Sequence, residues 1–232
     1  MSRGLPAAAA LAAALAASGA LAVPAAAPAP APVPLPEYEP GDAFVFSDGR
    51  VERVIAMGDT RMTWAGLSGA SYQRSRNFVV PVLEWRSGRA TGRREVHGNP
   101  DALWPIAKSK SARFRVVTET RANAQASLRR SVSLWVCKTG KPRIFAVTAG
   151  TYEAIPVKCD RYSPTTMRLV EQREWDYAPE LGHYVRRVTV NYLRGTTRTV
   201  ELVAALSGPA ASKARLTALA RAARQSATTA RR

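Results

Sequence analysis

S-L-W-V-C-K-T-G-K-P (residues 133–142), A-G-T-Y-E-A-I-P-V-K-C (149–159) and E-W-D-Y-A-P-E-L-G-H-Y-V-R-R (174–187) belong to one stretch, Ser131 to Leu193. Its apolar and aromatic residues come in short segments separated by strong breakers: Gly140 and Pro142, Gly150, Ser163-Pro164, Pro179 and Gly182, and Gly195. This punctuation predicts strands over Leu128 to Lys138, Arg143 to Thr148, Thr151 to Tyr162, Met167 to Tyr177, His183 to Leu193 and Thr196 to Leu206. From His183 onward, Tyr184, Val188, Val190 and Tyr192 share one face, and Arg187, Thr189 and Asn191 the other. One apolar and one polar face is the pattern of an antiparallel sheet with a single core.

Working outward toward the N-terminus, the same signals continue. Ala43 to Phe46, Arg50 to Met57, Thr60 to Trp64, Ala70 to Arg76, Phe78 to Trp85 and Ala112 to Thr120 read as strands, with Pro81 marking an edge or bulge. Residues 86–111 are rich in Gly, Arg and Ser and read as a long loop. That loop carries one apolar knot, Leu103-Trp104-Pro105-Ile106, which reads as a plug for the core or, less simply, a ligand contact. No long helical period runs through residues 41–206. The expected fold is mostly β: roughly ten strands in an antiparallel meander, forming a curved sheet or an incompletely closed barrel, with a short C-terminal helix.

The ends of the chain differ from its middle. Residues 1–22 have the form of a secretory signal: Arg3 supplies a positive start, Leu5 to Ala17 an apolar run, and Ala20-Leu21-Ala22 a cleavage pattern. A retained N-terminal anchor is the alternative. Residues 23–40 alternate Ala and Pro and read as an extended spacer outside the fold. The β-rich domain is expected over 41–206. Residues 207–232 form a basic tail in which Ser212 can cap a helix with Leu216, Leu219, Ala220 and Ala223 on one side.

Export and the cysteines bear on each other. The chain has two cysteines, Cys137 and Cys159. In an oxidising compartment these suggest one disulfide, worth about 3 kcal/mol in the chain-entropy view; two buried thiols are the alternative. The pairing also constrains topology. In a flat meander the strand over Arg143 to Thr148 would separate them by two strand spacings, about 9.6 Å, whereas a disulfide needs Cα atoms within about 7 Å. Either that strand ends early and Cys159 passes it, or the cysteines are not joined.

The formal charge is +17, from 34 basic and 17 acidic residues. Such an excess favours anionic partners. Nucleic acid is set aside as a partner, because an exported chain rarely meets it. An anionic surface held through Lys213, Arg215, Arg221 and Arg224 is a candidate contact, as is a lipid or an envelope protein.

Catalytic and metal signals are sparse. The only histidines are His97 and His183, and the sequence has no H-x-H, H-E-x-x-H or C-x-x-C. Gly66-Leu67-Ser68-Gly69 falls short of a nucleophile elbow, lacking its second glycine in the required place. No metal, cofactor or catalytic set is therefore assigned. The densest polar cluster is Glu174, Asp176, Glu180 and His183, with Arg186 and Arg187 placed to pair with its carboxylates. It admits acid–base work, but Glu174 and Asp176 alternate with Trp175 and Tyr177 and read more simply as a strand's solvent side. Trp64, Trp85, Trp104, Trp135, Trp175 and Tyr184 can line a ligand cavity in a half-open β fold or fill an ordinary core.

The segments Ala149-Gly150-Thr151-Tyr152, Cys159, Trp175, Tyr177-Ala178-Pro179-Glu180-Leu181-Gly182 and Val185-Arg186-Arg187 resemble a group of uncharacterised secreted or periplasmic bacterial proteins. That group carries a G-T-[FY] strand, a following cysteine and a W-x-Y-[AS]-P-E-x-G hairpin. The resemblance implies a β-rich exported protein, loosely similar in architecture to periplasmic carriers of lipoproteins and lipids; it brings no catalytic residues. The expectation is a non-enzymatic periplasmic or secreted envelope protein that binds an apolar or amphiphilic ligand, or a partner, on a concave sheet. An envelope hydrolase built on Glu180 and His183, or an adaptor tethered by the basic tail, are the alternatives.

Overall fold

The computed structural model describes Met1, residues 32–107 and residues 109–229. The signal-like stretch beyond Met1, the spacer up to residue 31 and the terminal Arg231 and Arg232 lie outside the described residues. The strands are β1 (Ala43–Phe46), β2 (Val51–Met57), β3 (Met62–Ala65), β4 (Ser71–Arg74), β5 (Glu84–Ser87), β6 (Ala90–Gly98), β7 (Ser111–Arg121), β8 (Arg129–Thr139), β9 (Arg143–Val147), β10 (Gly150–Tyr162), β11 (Leu169–Ala178), β12 (His183–Asn191) and β13 (Thr196–Leu206). One helix, α1 (Lys213–Thr229), follows.

Every pairing is antiparallel. β1 to β8 pair in chain order, β8 pairs with β10, β10 with β11, and β11 through β12 and β13 back to β1. Twelve strands thus complete a circuit, with β9 added beside β10. The curvature read from the sequence is carried through to closure, which leaves the circuit without free edges. β10 makes this possible by changing partners along its length. Gly150 to Ala154 pair with β9, and Val157 to Tyr162 pair with β8. Pro156 falls between the two partners, where its missing N–H breaks neither ladder.

That changeover also resolves the cysteine geometry. β9 ends before Cys159, so Cys159 sits directly opposite Cys137 on β8. Their Cα atoms are 4.0 Å apart and the sulfurs are bonded.

Three segments plug the barrel's interior. Leu103, Trp104 and Ile106 are buried in it. Phe78, Val79 and Val80 form the second plug, held by Asn77, whose amide donates to Pro100 O (3.1 Å) and Asp101 Oδ1 (2.8 Å). These residues were expected in a strand from Phe78 to Trp85, but only Glu84 to Ser87 is extended and paired. The third plug corrects the spacer reading of residues 23–40 within its described part, over residues 33–38. Val33 pairs with Ile106, and Pro36 and Tyr38 are buried. An extended Pro-rich chain presents alternate residues to one side, and here Val33, Leu35 and the Tyr38 ring meet the core.

A second correction concerns residues 86–111. Ala90 to Gly98 is a strand, paired with β7 from Thr91 to Gly98. Its inward positions hide the usual apolar alternation. Gly92 lies against Trp85, where a Cβ would overlap the indole ring, and Arg94 points at a charged interior.

Outside the barrel, α1 packs Leu216 and Ala220 on Ala43, Val45 and Val51. β1 is therefore covered on both faces, with Phe44 and Phe46 turned inward. Among the described residues no helix is long and apolar enough to cross a membrane.

Candidate functional site

The interior is not uniformly apolar. Because Val51 faces α1, its neighbour Glu52 must point into the barrel, where it is 2% exposed. Arg50 Nη1 lies 3.0 Å from Glu52 Oε1, and Arg74 Nη1 lies 3.0 Å from Oε2. The Tyr184 hydroxyl donates to Oε2 at 3.2 Å. Burial alone would raise the Glu52 carboxyl, but the Arg74 and Arg50 guanidiniums outweigh it and hold the group well below the usual carboxylate range.

His183 lies beside this cluster. It stacks on Phe44 with ring centres 3.8 Å apart, and its Nδ1 is 2.9 Å from the Tyr38 hydroxyl. Burial drives its pKa down to about 3, with only partial compensation from Glu52. Burial also keeps the Tyr38 hydroxyl protonated. The hydroxyl can donate to Nδ1 or accept from it, according to the tautomer, and Nε2 lies 3.9 Å from Glu52 Oε2 without a hydrogen-bond partner. His183 is thus a neutral core imidazole.

Beside Glu52 opens a cleft of about 450 Å³. Six guanidiniums line it, from Arg50, Arg74, Arg86, Arg94, Arg173 and Arg187, against the single carboxylate of Glu52. Phe78, Val80, Trp85 and Trp175 provide apolar wall. A bulge brings Arg187 here. Asp176 pairs with Arg186, but Tyr177 pairs with Tyr184, so Val185 is the extra residue on β12. Without that bulge, Tyr184 and Arg187 would face opposite sides; with it, Tyr184 opposes Tyr177 and Arg187 opposes Trp175, all inward.

The guanidiniums press on one another. Arg173 Nε is 2.6 Å from Glu171 Oε1, and Arg161 Nη2 is 3.3 Å from Oε2 of the same carboxylate. Arg94 donates to Val82 O (2.7 Å) and lies 4.2 Å from the centre of the Trp85 ring. Burial, then the Arg173 and Arg161 charges, push Arg94 down to about 10. Burial lowers Arg187 too, and Arg50 adds to the effect while Tyr184 opposes it. Arg50 Nε and Nη2, Arg74 Nε and Arg187 Nε are buried with no hydrogen-bond partner.

The expected site residues separate in the structure. Trp64, Trp104 and Trp135 are buried and pack on Tyr38, Tyr177 and Phe114. Trp85 and Trp175 are on the cleft wall, and Tyr184 is bonded to Glu52. Glu180 is exposed on a 3₁₀ turn while His183 is buried, so the Glu180, His183 and Arg187 cluster does not assemble. Asp176 is not solvent-facing either. It is fully buried, taking bonds from Arg186 Nε (2.7 Å) and Arg143 Nη2 (3.1 Å). Among the described residues no group of His, Cys, Asp and Glu is placed to hold a metal ion.

Glu52, Arg50, Arg74, Arg94 and Arg173 had not been singled out in the sequence. One signal pointed to them. Ala43-Phe44-Val45-Phe46 is apolar at both parities, the mark of a strand covered on both faces. Charges on the strand beside it are then inside as well.

No protein-family model matches the chain, and no curated protein matches it. Among solved structures, the hypothetical lipoprotein YmcC from Escherichia coli (K12) superposes with a TM-score of 0.47 at 9% identity, over 74% of this chain and 86% of that one. A protein with YmcC-like fold from Bacteroides fragilis NCTC 9343 superposes with a TM-score of 0.44 at 14% identity, over 76% of this chain and 100% of that one.

Proposed function

We propose that the chain is an exported, non-enzymatic binding protein of the bacterial cell envelope, and that the arginine-lined cleft inside the barrel is its ligand site. One observation carries this reading: six arginines and a single glutamate line a space large enough for a small organic molecule. Hydrogen bonds to charged groups are worth about 1.5–3 kcal/mol each, so a ligand with acceptors for the arginines gains most in this space. Export is supported by the signal-like residues 1–22 and by the disulfide, which suits an oxidising compartment. A binding role fits better than hydrolysis because His183 is neutral, buried and engaged with Tyr38.

The ligand envisaged is amphiphilic rather than apolar, since the cleft combines an aromatic wall with a cationic floor. Native mass spectrometry of the protein recovered from its own envelope fraction tests the reading. The expected result is a bound species that shields Trp85 from acrylamide, because the other four tryptophans are already buried. Recovery of the bare polypeptide alone, with Trp85 equally quenched before and after denaturing extraction and refolding, overturns it.

A tether to anionic surfaces through the tail is a second, weaker reading. Lys213, Arg215, Arg221 and Arg224 are exposed on α1. The helix's apolar stripe is already spent on the barrel, so such a contact is electrostatic only and salt-sensitive.

A further inference from the structure

The charges of the cleft go further than the presence of a ligand; they specify its head group. This step rests on the reading of the cleft as a binding site. Glu52 is shared between Arg50 and Arg74, and Glu171 between Arg161 and Arg173. Each carboxylate therefore serves two guanidiniums. Among the described residues, Arg86, Arg94 and Arg187 of the cleft have no carboxylate partner: Arg86 is exposed, Arg94 bonds a backbone carbonyl, and Arg187 Nε is buried and unbonded. The interior thus holds an excess of positive charge in a confined, largely apolar setting. A monocarboxylate would offset only part of that excess.

We propose that the cleft binds an organic phosphate, its phosphate group held among the cleft's arginines and its organic part resting on Phe78, Val80 and Trp85. A phosphate monoester carries about 1.5 to 2 negative charges at neutral pH and three strong acceptor oxygens. Planar guanidinium forks match those oxygens in pairs, better than an ammonium would. The basic residues lining the cleft are all arginine and none is lysine, in line with that requirement. The cleft, at about 450 Å³, is too large for the phosphate alone, which leaves the aromatic wall for the remainder of the molecule. The same chemistry fits a soluble sugar phosphate or the head of a phospholipid.

The test uses the full exported chain and three probes: glycerol 3-phosphate, dihexanoyl phosphatidic acid, and octyl glucoside as an uncharged amphiphile. Binding is read by calorimetry and by protection of Trp85 from acrylamide. The expected result is protection by the phosphate probes and not by octyl glucoside, weakened at least tenfold in both Arg94→Gln and Arg187→Gln. Tighter binding of the phosphatidic acid than of glycerol 3-phosphate by tenfold or more identifies a lipid head; equal affinity identifies a soluble phosphate. Arg94→Lys, which keeps the charge and loses the fork, is expected to fall between wild type and Arg94→Gln. If the Gln variants do not fold, wild-type protein still decides, because inorganic pyrophosphate must compete with either phosphate probe at constant ionic strength. Protection by octyl glucoside as strong as by the phosphates, or Gln variants that bind unchanged, overturns the phosphate assignment and leaves the cleft standing as a binding site. Failure of both phosphate probes overturns the assignment as well, while a species retained in native mass spectrometry would still uphold the cleft.

Discussion

Val51 and Glu52 are consecutive residues on one strand, and they end in opposite surroundings. Val51 is pressed beneath α1 with Ala43, Val45, Leu216 and Ala220, an aliphatic seam on the outside of the barrel. Glu52 enters the barrel and is clasped by Arg50 and Arg74 under the Tyr184 hydroxyl. Both are almost fully buried, at 5% and 2% exposure. The usual assignment of apolar to inside and charged to outside is reversed across these two positions. The helix makes the reversal affordable, since it removes the outer face of β1 and Val51 from water while Glu52 turns inward. The seam is held by contact area, which degrades gradually when a side chain is trimmed. The inner cluster is held by charge pairing, which fails abruptly when one member is lost.

The largest effect should therefore come from the inner face. Glu52→Gln keeps the side-chain shape and strands two buried guanidiniums. Breaking a buried pair in this way costs about 3–5 kcal/mol, to be read as a shift in the urea midpoint. Adding Arg74→Met to Glu52→Gln should return part of that loss, because the second substitution removes a charge that has no partner left. A cost below about 1 kcal/mol would mean that solvent screens the cluster, and the contrast with Val51 would dissolve.

Acid should expose the same asymmetry. His183 is neutral in the folded protein down to about 3, while the unfolded chain takes up that proton near the ordinary value of 6.5. Between those limits the unfolded state binds more protons, so stability falls as the pH falls. Glu52, held well below its ordinary 4.5, acts in the same direction once the pH drops under that value. Stability measured by denaturant titration should thus decline from about pH 6.5 downward and steepen below about 4.5. His183→Asn should flatten the upper part of that decline and leave the lower part. An unchanged upper limb would show that His183 is not the group responsible.

Leu216→Ala probes the outer face. Leu216 is 2% exposed in the seam, and its loss should cost about 2 kcal/mol, at the low end for such truncations, because a helix lying on a barrel can settle into the gap. Amide exchange should quicken in α1 and leave β2 protected. Loss of protection in both would show that the helix and the charged interior are one cooperative unit rather than two layers.

The sequence carried the outline of the fold and concealed most of the interior. Strands punctuated by Gly and Pro, from Leu128 to Leu206, were legible because turns need those residues whatever surrounds them. The cysteine pair was legible as a topological choice, and the partner change of β10 at Pro156 resolves it. β6 was not legible. Its inward residues include a glycine beneath Trp85 and an arginine facing other arginines, which leaves Val96 as the one large apolar side chain of the strand turned to the core. The Val185 bulge was silent as well, since one extra residue reverses the parity of all that follow, and Arg187 moved from the predicted polar face into the barrel. Tyr38 sat in a Pro-rich run that reads as spacer by composition alone, yet its hydroxyl reaches His183 across 145 positions of chain. The charged cluster was missed for a related reason: a lone Glu between Arg and Val is surface by default, and only the covering helix makes it interior.

The smallest expected effect is the control that isolates place from chemistry. Arg113 on β7 and Arg74 on β4 are the same residue type on strands of the same barrel. Arg113 alternates with the buried Ala112 and Phe114, points outward and is exposed; Arg74 points inward and is 8% exposed. Removing the Arg113 side chain leaves no buried charge and no cavity, so Arg113→Ala should move stability by no more than about 0.5 kcal/mol. Arg74→Ala leaves Glu52 with Arg50 as its one remaining guanidinium contact and opens space beneath Tyr72, so it should approach the cost of Glu52→Gln. If the two arginine variants unfold at the same urea concentration, the direction in which a strand turns its charge does not matter in this barrel. A clear separation would show that parity, set by α1 on one side and the Val185 bulge on the other, decides which of the chain's many arginines belong to its surface and which to its interior.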